Sequence, residues 1–207
     1  VSWLGDVYKR QIHYLRLSVT DLCNLRCRYC MPDGVPKLSH EDILTYEEFL
    51  RLAALFAQCG IDTVRITGGE PLVRRGVEQL TAGLKAIPGI RRVALTTNGV
   101  LLPRMADQLR QAGLSRVNIS LDTLDAEQFH AITRRGYLQE ALDGIDAALA
   151  AGFNPVKINA VAVRQLHQDY LAFAKLSIDR PLHVVAHGKH GQQHVAAPGL
   201  HQVCLLY

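Results

Sequence analysis

Three closely spaced cysteines, Cys23, Cys27 and Cys30, are the residues of this chain best suited to chemistry, and they stand in the segment SVTDLCNLRCRYCMP. The other two cysteines, Cys59 and Cys204, are remote from them. An odd number of cysteines with a tight cluster is a poor disulfide framework, whereas clustered thiolates in a reducing compartment usually indicate metal or redox chemistry. Three thiolates on one short loop can converge on a single metal centre, and we expect a metal site here.

The type of metal centre follows from the number of ligands. A structural zinc ion normally takes four protein ligands in two pairs, and no second Cys or His pair stands at a matching position in the central part of the chain. A [4Fe–4S] cluster accepts cysteine thiolates at short spacing, and three cysteines leave one iron open to another ligand. The spacing favours the cluster; incidental buried cysteines, or a zinc knuckle with a fourth ligand, remain as alternatives.

Length and composition indicate one globular domain. At about 150 residues per domain, 207 residues correspond to roughly 1.4 domains, with 48% hydrophobic and 20% charged residues. The net charge of 23 − 19 = +4 is too small to indicate nucleic-acid binding. The chain has no run of about 18 apolar residues and no secretory signal pattern. We therefore expect a soluble cytoplasmic protein with neither a membrane nor a nucleic acid as partner.

The elements that must position the cysteines alternate along the chain. Short apolar runs rich in β-branched residues predict strands at 14–20, 63–67, 92–97, 116–121 and 156–163. Longer stretches with helical spacing predict helices at 45–59, 77–87, 103–112, 125–132, 137–151 and 168–177. Thr45 predicts an N-cap, and Gly60, Gly113 and Gly152 each predict a helix end.

Alternating strands and helices predict an α/β fold with a parallel sheet. Neither G-x-G-x-x-G after the first strand nor G-x-x-x-x-G-K-[ST] occurs in the sequence, so the nucleotide-binding loops of open doubly wound sheets are absent. A partial (βα) barrel is favoured over the doubly wound sheet. In either fold the chemistry is expected in the loops after the carboxyl ends of the strands, where the cysteines are.

The C-x-x-x-C-x-x-C spacing, with the aromatic Tyr29 before the last cysteine, resembles the signature of radical S-adenosylmethionine (SAM) enzymes. The segments LRLSVTDLCNLRCRYCMP, VRITGGEPLVRR, LTTNG and VNISLD also stand in the order and spacing of one family among them, the GTP 3′,8-cyclases that begin molybdopterin synthesis. The resemblance runs from about Ile12 to Val184. It implies a partial barrel of the radical SAM type over residues 12–184.

The resemblance implies two cofactors. The three cysteines would hold one [4Fe–4S] cluster, and SAM would bind at its open iron. Tyr29, Gly69 and Ser120 occupy the positions that contact SAM in the family. In GGEP, Gly68 to Pro71, two glycines also let the backbone approach a ligand closely, and the glutamate at the strand end can help to receive the ammonium group of methionine.

The resemblance also implies GTP as substrate. Arg16, Arg65 and Lys157 occupy the GTP-contacting positions of the family, with Thr96 as a hydroxyl partner, and arginine and lysine suit phosphate recognition. Taken singly, each cation could equally be a solvated surface residue. The implied reaction is hydrogen abstraction from C3′ of GTP by a 5′-deoxyadenosyl radical, then attack on guanine C8 and reduction to 3′,8-cyclo-7,8-dihydro-GTP. No catalytic side chain is assigned, because the protein's task is to position the substrate.

Both ends of the sequence differ from its middle. Residues 1–11 precede the resemblance and are expected to be an arm foreign to the domain, and 185–207 form an atypical tail with no domain of its own. The family carries a second three-cysteine cluster after this point, whereas the tail has only Cys204. We therefore expect a truncated or frame-shifted product that does not cyclise GTP by itself.

The tail contains a run of histidines. His183, His187, His190 and His194 are spaced by four, three and four residues, which on a helix would place the imidazoles on one face and could bind zinc. Two glycines interrupt such a helix, and a damaged end is favoured over a zinc site.

Two other functions stay open. One is a radical SAM enzyme with a different substrate, which the Arg16, Arg65 and Lys157 set disfavours. The other is a non-catalytic iron–sulfur or zinc protein. In the favoured function a reductant or an electron-donor protein is a required partner, and the sequence leaves a homodimer open.

Overall fold

The computed structural model describes residues 12–30 and 43–188, which form a six-stranded sheet with six α-helices. The strands are β1 Tyr14–Ser18, β2 Thr63–Thr67, β3 Arg92–Thr97, β4 Arg116–Ser120, β5 Val156–Ala162 and β6 Leu182–Gly188. The α-helices are α1 Tyr46–Gln58, α2 Val77–Ala86, α3 Leu102–Gln111, α4 Ala126–Thr133, α5 Leu138–Ala150 and α6 Tyr170–Asp179. Two short 3₁₀ helices follow β2 and β5, at Pro71–Val73 and Arg164–Leu166.

The strand order confirms the predicted fold class. All neighbouring strands are parallel, and the order in the sheet is the order in the chain, β1-β2-β3-β4-β5-β6. A doubly wound sheet reverses its order at a switch point, whereas an unbroken sequence of right-handed crossovers keeps every helix on one face. Within the described residues β1 and β6 do not pair, so this is an open partial barrel.

One core fills the space between the sheet and its helices. Every second strand residue faces the helices and is buried, as Val64, Ile66, Leu95, Ile119 and Ile158 are. Since side chains alternate between the two faces of a strand, the residues between them lie on the opposite, inner face of the barrel. The inner face carries most of the polar strand residues, and it is there that a ligand can be held.

The helix boundaries agree with the sequence to within about two residues. The Thr45 hydroxyl accepts a hydrogen bond from the Glu48 N–H at 3.2 Å, and the Glu48 carboxylate accepts one from the Thr45 N–H at 2.7 Å. This reciprocal pair fixes the start of α1. Gly60, Gly113 and Gly152 have φ values of 100°, 92° and 83°, the left-handed conformation that ends a helix most readily at glycine.

The sixth strand was not predicted from the sequence. β6 pairs with β5 along its whole length, from Leu182 beside Val156 to Gly188 beside Ala162. His183 and His187 therefore lie on a strand, and the helical alignment considered for the histidine run is wrong for this pair. The run Leu182–Ala186 has the β-branched, apolar character of a strand, but the change of composition that follows it obscured this signal.

Several expectations concern residues outside the described ranges. These residues are the expected foreign arm at 1–11, Cys204, His190 and His194. The described helices include none with the length and apolar character needed to span a membrane.

Gly144 in α5 packs closely against the turn after β3. A Cβ atom at this position would lie 2.1 Å from the Gly99 carbonyl oxygen, in the turn after β3. Alanine in a helix interior is normally about 1 kcal/mol more favourable than glycine. We predict that Gly144→Ala instead lowers the free energy of unfolding by about 1–3 kcal/mol, measured by urea denaturation, because backbone must move.

Gly83 in α2 provides the matched control. A Cβ atom there would meet the terminal carbons of the Leu50 side chain at 2.8 Å, and a side-chain end can rotate away. Gly83→Ala should therefore cost clearly less than Gly144→Ala. Equal effects of the two substitutions would contradict the close approach of α5 to the turn after β3.

Candidate active site at the carboxyl ends of the strands

The loop that carries the three cysteines follows β1 and lies against the GGEP turn that follows β2. The Gly69 N–H donates to the Thr20 carbonyl at 2.7 Å, and the Glu70 N–H donates to the Leu22 carbonyl at 2.7 Å. A Cβ atom at Gly69 would lie 2.4 Å from the Leu22 oxygen, so only glycine allows this approach. Gly69 therefore has a structural role in holding the start of the cysteine loop.

The middle of the loop is held by the end of α4. The N–H groups of Arg26 and Arg28 donate to the carbonyls of Thr133 and Ile132, both at 3.0 Å. The Arg26 guanidinium also donates to the carbonyl of Cys23 at 2.6 Å. Backbone contacts to two separate elements thus fix the path of a segment that has no helix or strand of its own.

The three thiols are free in the described structure, with Cys23 and Cys27 half-buried and Cys30 exposed. Burial, followed by the charges of Asp122 and the two other cysteines, raises the pKa of Cys27 to about 12. Burial also raises the pKa of Cys23, while a hydrogen bond from the Leu25 N–H at 3.4 Å opposes this shift. Binding a metal centre would therefore release protons from these thiols.

Within residues 12–30 and 43–188, no three His, Cys, Asp or Glu side chains converge closely enough to hold a single metal ion. The three cysteines nevertheless stand within eight residues of one loop, and the Cys30 N–H donates to the Cys27 carbonyl at 3.0 Å, which turns the loop tightly between these two. A cube of four irons and four sulfides separates its thiolate ligands further than a single ion does. The arrangement is compatible with such a cluster.

Asn98, directly after β3 in the segment LTTNG, is a site residue with no role predicted from the sequence. Its side-chain amide donates to Asn24 Oδ1 at 2.7 Å and lies 4.0 Å from the Cys23 sulfur. Its Oδ1 accepts from the Val100 N–H at 3.1 Å. Asn98 thereby connects β3 to the cysteine loop, and no local pattern predicts a contact between residues 74 positions apart.

The Glu70 carboxylate is a buried junction between β2 and β3 and is not presented to a ligand. Its side chain is 1% exposed. One oxygen accepts from the Leu72 N–H at 3.0 Å and the Thr97 hydroxyl at 2.7 Å, and the other accepts from the Asn98 N–H at 2.7 Å. Burial raises the pKa of Glu70 above its ordinary value, and these three donors oppose the shift. The expected role of this glutamate in receiving a methionine ammonium has no support in this geometry.

A second buried carboxylate, Asp122, anchors the end of the cysteine loop. It accepts a hydrogen bond from the Tyr29 hydroxyl, and its other oxygen accepts from the Val161 N–H at 2.8 Å. Gln168 completes the network by donating to the carbonyls of Asp122 at 2.6 Å and Val161 at 2.8 Å. The Tyr29 ring is therefore oriented by the residues after β4 and β5, a connection that no local pattern in the sequence predicted.

The predicted substrate residues lie on the inner face of the barrel, on four different strands. Arg16 is exposed on β1 and lies beside Arg65 on β2, and Lys157 is half-buried on β5. Arg65 donates through Nε to the Tyr14 hydroxyl and through Nη1 to the Thr96 hydroxyl at 3.2 Å. Thr96 is thus a hydrogen-bond partner of Arg65, and together they form one polar group.

Ser120 ends β4, exposed on the same inner face and in register with Asn159 of β5. Asn159 was not predicted as a site residue. Its Oδ1 is buried without a hydrogen-bond partner among the described residues. Buried polar atoms are almost always paired, so this acceptor marks a place where a ligand's donor group can bind.

An open parallel barrel with three cysteines on the loop after its first strand defines the fold and site of enzymes that use an iron–sulfur cluster to start radical reactions. The family described as the Radical SAM superfamily matches residues 17–176. The chain belongs to this superfamily. Membership implies a [4Fe–4S] cluster and S-adenosylmethionine as cofactors.

Curated relatives point to one activity within the superfamily. A GTP 3′,8-cyclase of Geobacter sulfurreducens is 58% identical over 180 residues, which is 86% of this chain and 55% of the relative. A GTP 3′,8-cyclase of Heliobacterium modesticaldum is 55% identical over 181 residues, with the same coverage. The chain thus spans about half the length of the curated relatives that it matches.

Solved structures agree with the fold. SuiB of Streptococcus suis, solved with S-adenosylmethionine bound, superposes with a TM-score of 0.72 at 17% identity, over 94% of this chain and 44% of SuiB. TYW1, solved with a lysine–pyruvate adduct, has a TM-score of 0.60 at 18% identity, over 85% of this chain and 65% of TYW1. At this level of identity the likeness concerns the fold alone.

The hydrogen bonds of Glu70 are expected to contribute to the free energy of unfolding. Glu70→Ala would leave three donors without this acceptor, two of them buried, and each buried unsatisfied group costs about 1–3 kcal/mol. We predict that the free energy of unfolding falls by at least about 2 kcal/mol, measured by urea denaturation at pH 7. Glu70→Gln keeps the volume and one acceptor oxygen and should show an intermediate loss. A Glu70→Ala variant as stable as the parent chain would show that the junction does not hold β2 and β3 together.

Proposed function

We propose that Cys23, Cys27 and Cys30 hold one [4Fe–4S] cluster in this chain. The donor set fits: three free thiols lie on one loop, and three separate elements hold that loop by backbone and side-chain hydrogen bonds. Three thiolates leave one iron open to a further ligand. The cluster, with S-adenosylmethionine at that open iron, supplies the electron transfer and the radical precursor when both are bound.

We propose further that S-adenosylmethionine lies along the carboxyl ends of β1, β2, β4 and β5. Gly69 allows a close backbone approach there, Tyr29 is oriented by Asp122, and Ser120 lies exposed beside Asn159. The unpaired Asn159 oxygen is an acceptor for a hydroxyl or amino group of the cofactor. These residues would orient the sulfonium compound and exclude water from it, which is the protein's share of cofactor chemistry.

We propose GTP as the substrate and its 3′,8-cyclisation as the reaction. The observation that carries this proposal is the 58% identity to a GTP 3′,8-cyclase over 86% of the chain. The inner face supports it, because Arg16, Arg65 and Lys157 place cations on three strands below the cofactor site. Arg65 offers a planar fork to a phosphate, and Tyr14 and Thr96 hold that fork in place.

The tasks of these residues in the proposed reaction are binding and positioning. The cations on the inner face would fix the phosphates and hold the ribose C3′ within about 3–3.5 Å of the radical carbon, the separation at which reaction becomes effectively unimolecular. An external reductant, either a donor protein or a chemical one, would deliver the electrons.

The cluster proposal is tested by iron and sulfide content. After anaerobic reconstitution with iron and sulfide, we expect about four irons per chain and the electron paramagnetic resonance spectrum of a [4Fe–4S]⁺ cluster after reduction, altered by S-adenosylmethionine. Cys27→Ala should lose the iron because it removes one of three ligands. Cys59→Ala is the matched control, since Cys59 is exposed at the end of α1, and should keep the full content. Full iron retention in Cys27→Ala would overturn the proposed ligand set.

The substrate proposal is tested by nucleotide affinity. Arg65→Ala removes a charge-assisted, bidentate partner worth about 1.5–3 kcal/mol, so the Kd for GTP should rise about tenfold or more in isothermal titration calorimetry. Arg65→Lys keeps the charge but not the fork and should show a smaller loss. Arg51→Ala, an exposed arginine on α1, is the control. GTP binding that is equally strong in the parent and Arg65→Ala proteins would favour a different substrate.

A further inference from the structure

An exposed surface beside the cysteine loop is formed together with the segment that follows α4. The Arg28 N–H in the loop donates to the Ile132 carbonyl at 3.0 Å. The buried Leu25 side chain contacts the turn after α4, since a Cβ atom at Gly136 would lie 2.9 Å from Leu25 Cδ2. The middle of the loop and residues 132–137 therefore form one continuous surface.

This surface carries three arginines and one aromatic residue, all exposed: Arg28, Arg134, Arg135 and Tyr137. We call them the basic patch. Arg28 stands between the second and third cysteines of the motif. Within residues 12–30 and 43–188, the guanidinium groups of Arg28 and Arg135 form no hydrogen bond or ion pair. Their charge is therefore not neutralised inside the described fold.

The acidic residues closest in sequence are occupied or lie at the other end of α4. Asp125 and Glu127 stand at the start of this helix, roughly 10 Å from its end at about 1.5 Å per residue. The Glu140 carboxylate accepts a hydrogen bond from the Tyr137 N–H at 2.9 Å and thereby caps α5. The cations themselves are favoured just past the C-terminus of α4, where the helix dipole is negative.

Tyr137 gives the basic patch an aromatic centre. Its side chain is 69% exposed, and its ring stacks on His130 with the ring centroids 5.9 Å apart and an interplanar angle of 18°. Exposed tyrosine beside arginine is the combination enriched at the energetic centres of protein interfaces. A small anion would make no use of this ring, so the surface suits a protein partner.

We propose that the basic patch docks a small, acidic one-electron carrier protein. The inference rests on the proposed function, because the cluster on the cysteine loop is the electron acceptor: the carrier loses one electron and the cluster gains it. Cys30 is exposed, so one proposed ligand of the cluster reaches the surface close to the patch. Opposite charges on the carrier and the patch would speed their association by about 10–10³-fold.

The test measures docking and electron transfer on the reconstituted 207-residue chain. Flavodoxin, a small acidic flavoprotein, is the probe: its oxidised form is titrated calorimetrically, and its reduced form is mixed anaerobically with the chain in stopped flow. At about 50 mM salt, we expect the double variant Arg28→Glu/Arg135→Glu to raise the Kd and to slow cluster reduction, each about tenfold or more. At about 0.5 M salt both differences should shrink to about twofold, because salt screens exposed charges.

Three controls accompany the double variant. Arg91→Glu reverses an exposed charge in the turn before β3, at the opposite edge of the sheet, and should change both quantities by less than about twofold. Photoreduced deazariboflavin, an uncharged small reductant, should reduce the cluster equally fast in the parent chain and the double variant. Tyr137→Ala should raise the Kd for flavodoxin about fivefold at both salt concentrations, because it removes the aromatic contact.

The outcomes separate this inference from the proposed function. If the double variant behaves like Arg91→Glu towards flavodoxin, the docking surface is overturned and the cluster proposal stands. A loss that also appears with deazariboflavin, or that persists at high salt, lies in the cluster and not in docking, and it also overturns the inference. A chain that takes up no iron overturns the proposed function, and the inference falls with it because no electron acceptor is left.

Discussion

The contact between two loop backbones, from Gly69 and Glu70 to the carbonyls of Thr20 and Leu22, is the constraint on which the rest of the site depends. It joins the loop after β1 to the turn after β2 with no side chain between them. The cysteine loop has no secondary structure of its own, so its path is defined from outside, and a side chain at Gly69 would displace it.

Two buried carboxylates connect further strand ends of the barrel by hydrogen bonds. Glu70 joins β2 to β3, and Asp122 joins the end of the cysteine loop to β5 through Tyr29 and Val161. Burial raises the pKa of both, so neither position is favourable in itself, and hydrogen-bond donors compensate each of them. Their role is to make separate strand ends behave as one rigid edge.

The inner face of the sheet connects this edge to the opposite one. Most of its strand residues are polar, because side chains alternate between the two faces and the apolar ones pack against the helices. Arg65 stands between the two ends, with Thr96 on the side of the cofactor and Tyr14 on the side of the amino-terminal edge.

Local periodicity, helix caps and a contiguous cysteine motif were enough to predict the element order, five of the six strands, the helix ends and the superfamily. Four features emerged only from the folded chain: the buried junction at Glu70, the orientation of Tyr29 by Asp122, and the positions of Asn98 and Asn159 at the site. These contacts join residues many positions apart, and hydrogen-bond partners at such separations leave no periodic trace in a single sequence. The sixth strand was partly predictable, because its β-branched pattern is local. Only its pairing with β5 distinguishes it from a loop.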